Sequence, residues 1–172
     1  MSTDIEITAG GRRIPPLLGV ICPAALWLGL LGPAGAYVPA QASTNSPAMD
    51  LTFAGLAAAS VGSPSFLQAA YFSWLGWVFA TASTVLAIAT VRTCTRVLSG
   101  ICVLAGVFQA VVTVFAMKGP LSWSVLMSGI GNTRLGAALV FLGFIALIAI
   151  GFLGLGAAAS ACESQAPVTT SV

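Results

Sequence analysis

Four stretches of this chain, residues 17–37, 66–91, 97–117 and 135–156, carry no charged side chain. Hydrocarbon about 30 Å thick is crossed by about 20 helical residues at 1.5 Å each, so each stretch is long enough to span a bilayer. With no water inside lipid, every backbone amide must find its partner locally, and runs of this length are therefore read as helices. The expectation is an all-α polytopic membrane protein: a four-transmembrane-helix bundle over residues 17–157, with tails 1–16 and 158–172. The composition agrees, since 58% of the residues are hydrophobic and 6% charged, against roughly 25% charged in soluble domains.

Orientation is read from Arg and Lys. Arg12 and Arg13 precede the first span and Arg92 and Arg96 occupy the turn between spans two and three, whereas Lys118 and Arg134 lie in the last connection. The positive-inside rule then places both tails and the turn 92–96 in the cytoplasm of a plasma (inner) membrane, with residues 38–65 and 118–134 outside. A cleaved signal peptide is the rival reading of the start, because Arg12-Arg13, an apolar stretch and Ala40-Gln41-Ala42 follow one another in the required order. Cleavage would leave three spans.

The outer connections carry helix signals of their own. Asp50 reads as an N-cap before an Ala-rich run, Ser63-Pro64 as the start of span two, residues 121–128 as one or two amphipathic turns, and Asn132 as a cap for span four. Both connections are apolar for exposed loops, and either lie on the outer leaflet or cover the bundle, or dock on a partner.

Span two places Ser73, Gly76, Ala80, Ser83, Ala87 and Thr90 three and four residues apart. Close backbone approach at small residues supplies much of helix association in lipid, so this seam is expected to meet another helix. Weaker tracks run through Ser99, Cys102, Gly106, Ala110 and Thr113, through Cys22, Gly29 and Ala36, and through Gly136, Gly143 and Ala146. They either build the bundle or offer one outward face, on span four or span one, to a helix of another protein. Pro23 and Pro33 interrupt span one, leaving carbonyls for neighbours or shaping a groove for a lipid tail. Tyr71, Phe72, Trp74 and Trp77 read as an interfacial aromatic belt, joined by Tyr37 and Trp123. Gln109, the strongly polar side chain deep in a span, is expected to make an interhelical hydrogen bond.

The absent chemistry is equally informative. A net charge of +2 from six basic and four acidic residues is too thin for a nucleic-acid surface, and His, the commonest general base and metal ligand, does not occur. Asp4, Glu6, Asp50 and Glu163 all fall outside the spans, so no proton-coupling carboxylate is expected in the membrane. Cys22, Cys94, Cys102 and Cys162 form no Cys-x-x-Cys pair. Cys94 lies between Arg92 and Arg96, whose cations either favour its thiolate or leave it a solvated turn thiol. The two arginines either anchor the topology or contact anionic lipid headgroups. No enzymatic activity, cofactor or metal is expected from this inventory.

The Ala, Gly and Val bias with few lysines has the look of a high-GC actinobacterial sequence. The size, the four uncharged spans and the long first outer connection resemble the small accessory subunits, of the lipid-uptake-coordinator-B kind, that serve the mycobacterial mammalian-cell-entry (Mce) lipid transporter. The resemblance covers the whole chain as a pattern and transfers no functional residue. It implies a non-catalytic accessory subunit that stabilises or regulates a larger lipid permease through helix packing, with membrane lipid and that complex as partners. An independent lipid-binding or lipid-translocating protein is the alternative.

Overall fold

The computed structural model describes residues 14–40, 47–60, 65–93 and 95–163. Helix α1, Pro16–Leu31, starts on Pro15-Pro16, where a fixed φ and a missing N–H suit the first turn. It runs on through Pro23 and stops at Gly32, whose N–H closes on the Leu28 carbonyl at 2.9 Å. Pro33 has no N–H with which to continue. The helix is thus shorter than the apolar run: its 16 residues cover about 24 Å at 1.5 Å each.

The chain then becomes extended. β1, Ala36–Val38, pairs antiparallel with β2, Met49–Leu51, with Ala36 opposite Leu51 and Val38 opposite Met49. Helix α2, Phe53–Ala59, follows, capped by the Thr52 hydroxyl, which accepts from Gly55 N–H at 3.2 Å. Thr52 therefore takes the capping role expected of Asp50, whose carboxylate pairs with Arg134 instead. Residues 63 and 64 lie outside the described residues; the second long helix begins at Phe66 behind a Ser65 cap.

That helix is continuous from Phe66 to Thr93, built of α3, Phe66–Ala70, a π-helical segment, Tyr71–Leu75, and α4, Gly76–Thr93. The extra residue of a π turn rotates what precedes it by about 100°, one residue's step around an α-helix. α5, Arg96–Lys118, ends at Gly119, whose φ of +50° suits glycine. α6, Trp123–Ser128, is capped by Ser122, a 3₁₀ turn covers Ile130–Asn132, and α7, Leu135–Glu163, completes the chain. Asn132 belongs to that turn and α7 begins three residues later.

The three long helices and the shorter α1 lie side by side, α7 packing most extensively on α1 and α5, with α4 against α1 and α5. Contacts of Gly29 with Gly136 and Val140, and of Gly106 and Gly151 with Phe144 and Ser99 respectively, fix α7 antiparallel to both neighbours. One end of the bundle holds the α4–α5 turn with Arg92 and Arg96; the other holds the β ribbon, α2 and α6. The core runs between these ends through Cys22, Leu26, Ala87, Cys102, Phe144 and Leu147. Three helices, Phe66–Thr93, Arg96–Lys118 and Leu135–Ala157, are long and apolar enough to cross a membrane, whereas Pro16–Leu31 is apolar but shorter.

Candidate functional site

The small-residue seam of α4 faces inward: Gly76, Ala80, Ser83, Ala87 and Thr90 are all buried. Ser73 is not on it. The π turn carries the inward face to Phe72 and Tyr71, which are buried, and leaves Ser73 exposed with its hydroxyl on the Ala70 carbonyl at 3.2 Å. Of the expected aromatic belt, Trp74 stays outward at 54% exposure, while Tyr71 and Phe72 join the core. Gly76 does not seat another span. A Cβ there would lie 2.5 Å from Cζ of Phe53, so the missing side chain makes room for a ring that α2 pushes down from the ribbon end. Phe53 stacks edge-on or tilted against Tyr71, Phe72 and Trp77, with centroids 5.4 to 6.0 Å away.

The other tracks also turn into the chain. A Cβ on Gly136 would sit 2.5 Å from the Pro33 carbonyl oxygen, and one on Gly143 would overlap Leu26 of α1. Gly106 meets Ile148 and Phe144, and Gly151 meets Ser99 and Val103. Span one thus spends Cys22 and Gly29 on α7, and the expected choice between bundle packing and an outward small-residue face falls to bundle packing at these positions. What points outward instead is large and apolar: Val85 on α4, Leu104 and Phe108 on α5, Ile145 and Phe152 on α7.

A ladder of polar side chains threads the α4–α5 contact. Ser83 Oγ donates to Gln109 Oε1 at 2.6 Å, which is the interhelical bond expected of Gln109. The Thr113 hydroxyl lies 2.7 Å from the Gln109 carbonyl oxygen and 2.9 Å from Tyr71 OH. A carbonyl only accepts, so the single Thr113 hydrogen goes there and the Tyr71 phenol donates to Thr113. Nearer the arginine end, Thr90 Oγ1 and Cys102 Sγ are 3.0 Å apart. Among the described residues no buried side-chain N or O lacks a partner. Trp27 adds a bond across α1 and α4, its Nε1 donating to Thr84 Oγ1 at 3.1 Å.

At the ribbon end the ladder meets a cavity of about 130 Å³, where Tyr71, Thr113 and Gln68 form a polar floor under apolar walls from Phe53, Leu56, Val140 and Phe141. Beside it, α5, α6 and the start of α7 enclose a groove of about 720 Å³ lined by Val114, Leu121, Trp123, Leu126, Ile130 and Ala138. Ala36, Met117, Ala137 and Phe141 line both spaces and form the partition between them. Hydropathy alone gave no sign of this pair of spaces, because α6 has to fold back over α5 and α7 to make the groove. The local signal was Lys118 with Trp123 just beyond the end of an apolar run, the mark of an interfacial anchor.

The ribbon is locked onto α7. Arg134 N–H donates to Gly35 O and Gly136 N–H to Ala34 O, each at 3.0 Å, and Gly35 N–H donates to Leu51 O at 2.8 Å. The Arg134 guanidinium reaches Asp50 Oδ1 at 3.1 Å and lies 4.5 Å over the Tyr37 ring. At the opposite end Arg92 closes α4 and Arg96 opens α5, both exposed. Cys94 and the Arg12-Arg13 pair fall outside the described residues, and Cys22 and Cys102 are buried free thiols. Among the described residues no three His, Cys, Asp or Glu side chains gather where they could hold a metal ion.

Fold and site together define a helical chain with three helices fit to cross a membrane and an apolar cleft at one end of the bundle. Set against family models, curated proteins and solved structures, it finds no match.

Proposed function

We propose that this chain is a four-pass protein of the plasma membrane that works as a non-catalytic accessory subunit of a lipid-transport complex, of the Mce type that its overall pattern resembles. The observation that carries the reading is the division of labour on the helices: the polar ladder and small-residue tracks are used inside, packed with core residues such as Leu26, Phe144 and Leu147, and large apolar side chains such as Val85, Leu104 and Phe152 are offered on the outward faces. Such a body offers contact surface to lipid and to neighbouring helices, and no charged group in its spans to drive a reaction.

The fourth crossing is α1. Its helix is short, but residues 32–38 continue as extended backbone whose polar groups bond to α7 and β2, and non-helical backbone is tolerated at membrane depth where protein surrounds it. Arg92 and Arg96 at one end, with Arg12 and Arg13 ahead of α1 in the sequence, support cytoplasmic termini by the positive-inside rule, and the exposure of Arg92 and Arg96 suits contact with anionic headgroups. With the small-residue tracks used inside the chain, a partner permease is met by the outward apolar faces or by α2 and α6. Purification of a tagged copy at native expression in mild detergent, with mass spectrometry of proteins and lipids, tests this. A permease recovered in constant proportion supports the subunit reading, and recovery of the chain alone contradicts it.

A second reading, an independent lipid-binding protein, draws on one observation, the two adjoining apolar spaces at the ribbon end. Lipid bound to the isolated chain would favour it.

A further inference from the structure

The groove between α5, α6 and α7 has three features of a ligand site. At about 720 Å³ it falls within the roughly 300–1,000 Å³ of ordinary small-ligand pockets, space for one alkyl chain rather than a two-chain lipid. Its lining is almost wholly apolar, from Val114 and Met117 on α5 across Trp123 and Leu126 on α6 to Ala138 and Phe141 on α7. It also has a charge at its rim. Lys118, the last residue of α5, is not part of the lining but follows the lining residue Met117, and it holds its ammonium 5.5 Å over the ring of Trp123, which lines the groove and packs edge-on against Phe115.

Among the described residues Lys118 has no carboxylate within ion-pair distance, whereas Arg134, the other cation at this end, is held by Asp50. The Asp50, Lys118 and Arg134 set leaves one positive charge beside the apolar groove. A cation at the end of a membrane-length helix sits at headgroup depth, and an anion there would meet a partly desolvated donor while its hydrocarbon entered the groove.

The geometry points to a binding site for a single-chain anionic lipid, its carboxylate or phosphate head on Lys118 and its alkyl chain along the α5–α6–α7 groove. The site rests on the chain lying in a membrane and not on its belonging to a transporter. A missing permease would leave it intact, and a missing lipid would leave the subunit reading intact.

The test uses the full chain in dodecyl maltoside and a palmitic acid analogue bearing a diazirine on its chain, with the crosslinked residues found by mass spectrometry. Crosslinks are expected to concentrate on residues 117–127 and 138–141. Excess palmitate or palmitoyl lysophosphatidic acid should remove them at least ten times more effectively than methyl palmitate. Lys118→Ala should lower labelling about tenfold, Lys118→Arg should restore it, and Ala138→Phe, a change at an exposed lining position, should block the groove. Labelling spread evenly along the outward faces of α5 and α7 would overturn the site. So would equal competition by the methyl ester, displacement by inorganic phosphate alone, or indifference to Lys118→Ala. If Ala138→Phe fails to elute as a single species, the paired Lys118 variants decide the question.

Discussion

Ser83 on α4 donates a 2.6 Å hydrogen bond to Oε1 of Gln109 on α5, and both side chains are sealed inside the bundle. An amide buried among helices in an apolar interior is stabilising only while it is paired. Interhelical bonds of this kind contribute about 0.6 kcal/mol on average and up to about 1.7. Ser83→Ala is therefore expected to cost about 1 kcal/mol or more, because it strands the Gln109 oxygen. Gln109→Leu is expected to cost less, since a lone Ser83 hydroxyl can turn to a backbone carbonyl of its own helix. SDS unfolding followed by dye labelling of the buried Cys22 and Cys102 reads both.

Gly143 takes the Leu26 side chain of α1 where its own Cβ would stand, and Gly136 meets the carbonyls of Pro33 and Ala34. Gly143→Leu is expected to push α1 from α7, at a cost above the roughly 1–3 kcal/mol typical of overpacking, since backbone as well as side chain is in the way. Gly100 and Gly156 face open space. Ala there should leave stability unchanged or raise it by up to about 1 kcal/mol through helix propensity. Melting temperatures in one detergent separate the two classes.

Phe53 and Gly76 form a ring and its seat. Phe53→Ala is expected to cost about 3–5 kcal/mol, as large-to-small changes in packed cores do. Gly76→Ala should be destabilising alone, yet add little once Phe53→Leu has shortened the intruding side chain. A double-mutant cycle measures this non-additivity, and strictly additive losses would mean the two do not share space.

The ion pair between Arg134 and Asp50 is partly exposed, with side-chain accessibilities of 41% and 58%, so Asp50→Asn should cost no more than about 1 kcal/mol and less in high salt. Arg134→Ala should cost more, since it also removes the cation from the Tyr37 ring. The difference between the two melting temperatures is the readout.

The lengths of three helices, the inward seam of α4 and the role of Gln109 were legible in the sequence, because each follows from local composition or from spacing along one helix. Ser73 was misplaced because a π turn leaves no trace in a pattern of small residues; the same turn took Tyr71 and Phe72 from the surface to the core. The end of α1 was written in Gly32-Pro33, but apolar residues continued past it and hydropathy is blind to a helix stop. Asp50 looked like a cap from its neighbours, and its partner Arg134 lies 84 residues away. Neither the groove nor the seat of Phe53 could be read, since both arise where distant segments fold back over the bundle.

Side-specific labelling of single cysteines in intact cells bears most directly on the four-crossing arrangement. In a chain with Cys94 and Cys162 replaced by Ser, an impermeant maleimide is expected to label Ser124→Cys on exposed α6 from outside. It should label Thr93→Cys and Ser2→Cys only after permeabilisation. Labelling of Ser2→Cys in intact cells together with Ser124→Cys would mean that α1 does not cross, and would contradict the four-pass reading.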